Sequence, residues 1–138
     1  MAGNKLSGSC LCGALRYEAT AAPLFQGFCQ CTDCHKVGSG HEAAIGVPTN
    51  SVAISGKYTT YTKKGDSGQK IHRHFCPTCG GVAFVRGDVF PDVTIVNGSL
   101  LDDPSLFKPD HVIFTRSALH WDHVDPKLMR FEAMPPQA

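Results

Sequence analysis

The chain has 138 residues, a formal net charge of +1, a pI of about 7.6, 42% hydrophobic residues and 18% charged residues. This length suits one domain that buries a core without disulfide staples, and the composition excludes a disordered chain. The near-neutral charge excludes a strong pull toward nucleic acid or anionic lipid. Apolar runs fall far short of the roughly 18 residues of a membrane span. Residues 1–8 carry no apolar signal segment, so a cytoplasmic protein with neither membrane nor nucleic-acid partner is expected.

The patterning is mostly of period two. Leu15, Tyr17 and Ala19 alternate with Arg16 and Glu18, which predicts a half-buried strand. Further strands are expected at Phe25–Cys29, 43–47, 52–54, 58–62, 71–75, 82–85, 93–96 and 111–115. Turn-forming clusters separate many of them, as at Pro48-Thr49-Asn50 and Gly65-Asp66-Ser67-Gly68. No long stretch holds a helical period. Residues 32–36 suit one helical turn with Thr32 or Asp33 near its N-cap, and residues 103–107 suit another. Phe25, Phe28, Phe75, Phe84 and Phe114 are expected in the core. The expected architecture is a single mainly β domain over 6–132 with short helical turns, and frayed ends at 1–5 and 133–138.

Seven cysteines are an odd number, so a closed set of disulfides would leave one thiol over, and a reducing compartment disfavours such a set. They fall as Cys10-x-Cys12, Cys29-x-Cys31-x-x-Cys34 and Cys76-x-x-Cys79. Such spacing lets thiolates converge on one ion, and zinc suits a redox-silent scaffold better than an iron–sulfur cluster does. In Cys76-Pro77-Thr78-Cys79-Gly80, Pro77 fixes φ at the bend and Gly80 supplies a positive φ after the second ligand. Amides of that turn can point at the sulfurs. This knuckle supplies two ligands of a structural zinc, and Cys10 and Cys12, two apart in an extended segment, can supply the others. Cys29, Cys31 and Cys34 remain. Three thiolates leave a fourth position for water or substrate, as at a catalytic zinc, unless His35, His41, His72 or His74 closes the site.

Around these ligands, His35 and His74 are candidates to move a proton, and Lys36 and Arg73 to offset negative charge. Strand alternation puts His72 and His74 on one face and Arg73 on the other. Gly38-Ser39-Gly40 reads either as a plain turn or as an amide cradle for a carboxylate. Trp121 reads as core or pocket wall, between exposed His120 and His123.

Three segments carry a resemblance. Gly8-Ser9-Cys10-Leu11-Cys12-Gly13 with Arg16-Tyr17, Cys29-x-Cys31-x-x-Cys34-His35-Lys36, and Phe75-Cys76-x-x-Cys79-Gly80 resemble, in order and spacing, the glutathione-dependent formaldehyde-activating (GFA) family. That family shares its domain type with centromere protein V. Phe107, Pro109, His111, Trp121, Leu128 and Phe131 look like its closing segment. The resemblance implies a β-tent of antiparallel sheets carrying two zinc ions. Cys10, Cys12, Cys76 and Cys79 match its structural-zinc ligands, and Cys29, Cys31 and Cys34 match the ligands of a catalytic or labile zinc, with His35 beside them as a catalytic candidate. The implied activity is that of a carbon–sulfur lyase joining glutathione and formaldehyde into S-(hydroxymethyl)glutathione. A small thiol or aldehyde is then the partner, and a homodimer is left open.

Other classes make different demands. A non-catalytic zinc-binding β-tent module, for protein or small-ligand binding, needs an exposed apolar patch and no open zinc position. A nucleic-acid-binding zinc ribbon is opposed by the charge. A methionine sulfoxide reductase on a similar fold needs a separate redox cysteine, and all seven here are assigned to zinc.

Overall fold

The computed structural model describes residues 5–65 and 68–135. Residues 1–4 and 136–138 of the ends expected to fray, and Asp66 and Ser67 of the expected turn, lie outside the described residues. The strands are β1 (Leu6–Ser9), β2 (Arg16–Ala19), β3 (Phe25–Cys29), β4 (Glu42–Pro48), β5 (Val52–Ser55), β6 (Thr59–Lys64), β7 (Lys70–Phe75), β8 (Val82–Gly87), β9 (Val93–Asn97), β10 (His111–Ile113) and β11 (Met129–Arg130). One helix, α1 (Thr32–Gly38), follows β3, and short 3-10 turns include Thr49–Ser51, Gly98–Leu100, Pro104–Leu106 and Thr115–Ser117. The fold is mainly β, as the period-two patterning predicts. Among the described residues no helix is long and apolar enough to cross a membrane.

The strands form two sheets. A small one runs β1-β2-β5, and a large one runs β11-β10-β3-β4-β9-β8-β7-β6. Pairing is antiparallel except at β10, which lies parallel to both β3 and β11. A long connection with two 3-10 turns leads from β9 to β10, so no hairpin sets its direction. Every expected strand is present, with ends shifted by a few residues. β1 and β11 are additions. Leu-Ser-Gly-Ser offers only Leu6 as an apolar signal, yet β1 pairs with β2 from Leu6↔Ala19 to Ser9↔Arg16. β11 spans two residues and both are exposed, so no alternation announces it.

Register and alternation divide the large sheet into two faces. On the inner face Ile45 and Val47 of β4, Phe84 of β8 and Val96 of β9 meet Leu6, Leu15, Tyr17 and Ala19 in one buried cluster. Tyr17, Phe84, Leu15, Ile45, Val47 and Val96 are fully buried, and each large apolar side chain removed from water contributes about 1.5–3 kcal/mol. The Tyr17 hydroxyl donates to the Asn97 carbonyl at 2.8 Å, and Asn97 Nδ2 donates to the Val82 carbonyl at 2.8 Å, which keeps the polar atoms at this junction satisfied.

The outer face is set by Cys29 opposite Glu42, Gly46 opposite Ile95, Ile95 opposite Val85, and Val85 opposite Arg73. Helix α1 belongs to this face, because its Asp33 takes the Lys63 ammonium of β6 at 2.6 Å. Cover here is incomplete, which accounts for the exposure of Phe25, and the expected core is corrected at its margins. Phe84 is fully buried, whereas Phe28, Phe75 and Phe114 are half-buried and Phe25 is 38% exposed.

Candidate functional site

Two turns bring four cysteines together at one end of the core. The turn after β1 carries Cys10 and Cys12, and the β7–β8 turn carries Cys76 and Cys79; their four sulfurs lie within 4.8 Å of one another. The Cys10–Cys12 and Cys12–Cys76 sulfur separations are both 3.7 Å. A tetrahedral ion with metal–sulfur bonds of about 2.3 Å has sulfur–sulfur edges of about 3.8 Å, so the donor set and its spacing fit such an ion. Gly13 (φ +83) and Gly80 (φ +81) close the two turns in a conformation that side chains disfavour.

Backbone amides aim at these sulfurs. Leu15 N–H donates to Cys10 Sγ at 3.3 Å and Thr78 N–H to Cys76 Sγ at 3.4 Å. Amides of Cys12 and then Gly81 hold the Cys79 thiol down at about 6, and those of Cys79 and Thr78 hold Cys76 below the ordinary thiol range. The Ala14 amide pulls Cys12 down as well, but the crowding Cys76 and Cys10 thiols outweigh it and leave Cys12 at about 11. Two of the four are thus shifted toward the thiolate that ligation requires.

The second cluster lies on the outer face. Cys29 ends β3, and Cys31 and Cys34 flank the start of α1; their three sulfurs also lie within 4.8 Å of one another. Cys31 itself caps the helix, accepting the Cys34 N–H at 3.3 Å, in place of the expected Thr32 or Asp33. The helix therefore begins on a ligand. The Cys29 and then the Cys34 thiols donate to Cys31 and hold it as a thiolate at about 2, with a further contribution from Arg73. Cys31 in turn pushes Cys29 up to about 12, and Cys29 and Cys31 together drive Cys34 well above the thiol range. The three thiols thus share their protons unequally, with Cys31 the most easily ionised. A divalent ion fits this set by replacing those protons.

No histidine completes this set. Among the described residues the group that can share an ion is Cys29, Cys31 and Cys34 alone. His41 is held by Asp122, which accepts from its backbone N–H at 2.8 Å and contacts its Nδ1 at 2.7 Å. His72 lies between Thr62 and Asp88. His74 is on the inner face, stacked on Phe84 at 4.3 Å and bonded to Thr60 Oγ1 at 2.8 Å. Burial first, then the Arg86 and His72 charges, lower it to about 4, and it takes no part in either cluster.

His35 follows Cys34 and is buried, with Nε2 3.3 Å from Asp122 but not aligned as a hydrogen bond. It lines a shallow cleft of about 380 Å³ with Thr32, Lys36, Ser39, Leu119 and Trp121. Trp121, 56% exposed, is a pocket wall rather than core, and His120 and His123 are exposed as expected. Ser39 (φ 66) ends α1 with its N–H bonded to the His35 carbonyl at 2.8 Å, so the Gly38-Ser39-Gly40 run is a helix stop.

Two neighbours escape the sequence reading. Asp122 binds His41 and approaches His35, although 81 residues separate it from His41. Glu42 faces Cys29 across β3–β4; burial pushes its carboxyl up and Arg73 pulls it back. A carboxylate opening the apolar run 43–47 is the one local signal for Glu42.

Two sheets with one closed four-thiol cluster and one open three-thiol cluster define a thiol-rich β protein with two candidate metal centres. Residues 5–117 match the family model described as glutathione-dependent formaldehyde-activating enzyme, and the chain belongs to that family. The fold is similar to the crystal structure of a Rhodobacter sphaeroides protein, a Northeast Structural Genomics target, with a TM-score of 0.57 and 24% identity over 75% of this chain and 96% of that one. Comparison with curated proteins finds no match.

Proposed function

We propose that this chain is a zinc-dependent carbon–sulfur lyase of the GFA family, with glutathione and formaldehyde as the prototype substrates and S-(hydroxymethyl)glutathione as product. The observation that carries this reading is the convergence of Cys29, Cys31 and Cys34, with no fourth donor among the described residues, next in the chain to Thr32 and His35, which line a cleft. Those three residues would hold one zinc ion, and Cys10, Cys12, Cys76 and Cys79 a second, structural one. A zinc ion with three protein ligands supplies an open Lewis-acid position that lowers the pKa of a thiol placed there.

The chain's own residues do the rest. Trp121 and Leu119 form an apolar wall for the substrate stem, and Lys36 offers a cation at the cleft rim for a carboxylate. His35 faces the same cleft and is assigned to hold the proton that the thiol releases. Asp122, 3.3 Å from Nε2, is close enough to fix the His35 ring. Burial of Cys29 and Cys34 limits water at the reacting sulfur.

The test is metal analysis of the full chain followed by NMR of glutathione and formaldehyde with the zinc-loaded protein. Two zinc ions per chain and adduct formation faster than the spontaneous condensation are expected. A rate equal to the spontaneous one overturns this substrate pair, and a single tightly held zinc overturns the open site.

A further inference from the structure

Arg73 is the charged side chain on the outer face that the reading above leaves without a task. It is 8% exposed, and its Nε has no hydrogen-bond partner. An unpaired buried guanidinium nitrogen is costly, because the desolvation of a charged donor is uncompensated. Alternation and register put Arg73 on the face that carries Cys29 and Glu42. The sheet also brings it toward the three-cysteine cluster: Tyr61, its β6 partner, stands two residues from Lys63, whose ammonium meets Asp33, the residue before Cys34, at 2.6 Å. Lys63, on the same face, is committed to Asp33 of α1 at 2.6 Å, so it is not the free cation there.

The charge count shows what Arg73 is suited to. Three thiolates around a divalent ion carry a net −1, and an incoming thiolate takes the site to −2. Addition to an aldehyde then moves one of these negative charges from sulfur to oxygen. A fixed donor in a water-poor site stabilises that oxygen far more than solvent does. Arginine fits the task because it stays charged and donates in a rigid plane.

We infer that Arg73 is the oxyanion-holding group of the three-cysteine site, its Nε–H donating to the aldehyde oxygen as the substrate sulfur adds to the carbonyl carbon. This rests on the lyase reading and names the group that its chemistry requires. In the step, a sulfur lone pair forms the S–C bond and the C=O π pair moves to oxygen. The alkoxide held by Arg73 takes up the proton that the thiol gave up. Nothing is oxidised or reduced, and thiol and aldehyde are the whole of the reactants.

The test uses the full chain loaded with cobalt(II), whose visible spectrum reports the metal's surroundings. Formate, a small oxyanion, is titrated into the wild type, Arg73→Gln and Arg73→Lys, each with its metal content measured first. Wild-type formate binding should weaken at least about tenfold in Arg73→Gln and by less in Arg73→Lys. Equal affinity in wild type and Arg73→Gln, or no formate-dependent change in wild type, overturns the inference. With the zinc-loaded protein and both substrates, Arg73→Gln should lose about 100-fold in kcat with the thiol KM nearly unchanged. A raised thiol KM at unchanged kcat overturns the oxyanion role, because it places Arg73 on a remote carboxylate. Should the wild type catalyse nothing while formate binding still depends on Arg73, the lyase reading fails and the oxyanion site stands.

Discussion

The two cysteine clusters use one kind of donor in opposite surroundings. Cys10 and Cys76 are part of the buried cluster that joins the two sheets, and amides from both turns neutralise the sulfurs. Cys29, Cys31 and Cys34 sit on the outer face, with Glu42 opposite Cys29, Arg73 on the same face, and Thr32 and His35 of the short helix lining a cleft. The difference lies in the fourth position. Where backbone wraps the donors and a fourth thiol completes them, the cluster suits architecture. Where the fourth donor is missing and charged side chains gather instead, it suits chemistry.

The largest effect expected from that contrast is on stability. Cys10→Ala removes a ligand from the core cluster and leaves three thiols without their ion, so denaturant unfolding should show a loss of about 3 kcal/mol or more. Cys31→Ala should leave the thermal midpoint nearly intact, halve the zinc content and cost at least about 100-fold in turnover, since changes merely behind a metal ligand already cost 10–100-fold. The two variants break the comparison if their effects are exchanged. A chelator series sharpens it: zinc should leave the three-cysteine site first, with activity lost before any change in circular dichroism.

A smaller effect is expected beside the open cluster. Asp122→Asn keeps the shape but weakens its grip on His41 and His35, so steady-state turnover should fall about tenfold with the full zinc content retained. The smallest belongs to the strand that leads from the closed cluster. Arg16 and then Ser7 hold the exposed Asp102 carboxyl below its ordinary range. A depressed carboxyl contributes stability above its unfolded pKa of about 3.9 and loses it as pH falls through the folded value. Arg16→Ala should therefore be slightly less stable at neutral pH, and urea melts should show the gap closing toward pH 3.

The sequence displays the strands well because most of them bury alternate side chains, as in Leu15-Arg16-Tyr17-Glu18-Ala19. It hides β1 and β11, whose pairing depends on partners rather than on their own composition. The division of the cysteines into four and three is legible from spacing, and the sulfurs gather in those groups. The groups around the open cluster are less so. Asp122 meets His35 and His41 only because the segment after β10 folds back over α1, and Glu42 meets Cys29 only through strand register. His74 stands close to a cysteine in the chain, yet alternation turns it to the inner face, while its neighbour Arg73 takes the outer one.

The separations along the chain also set an order of assembly. Cys12 and Cys76 are 64 residues apart, so their cluster forms only when the β7–β8 turn has been synthesised and brought back to the beginning. Cys29, Cys31 and Cys34 span a single turn of chain and need no such return. On a growing polypeptide the open cluster can capture an ion tens of residues before the closed one exists. The three-cysteine group can thus be complete before the four-cysteine group that joins the two sheets.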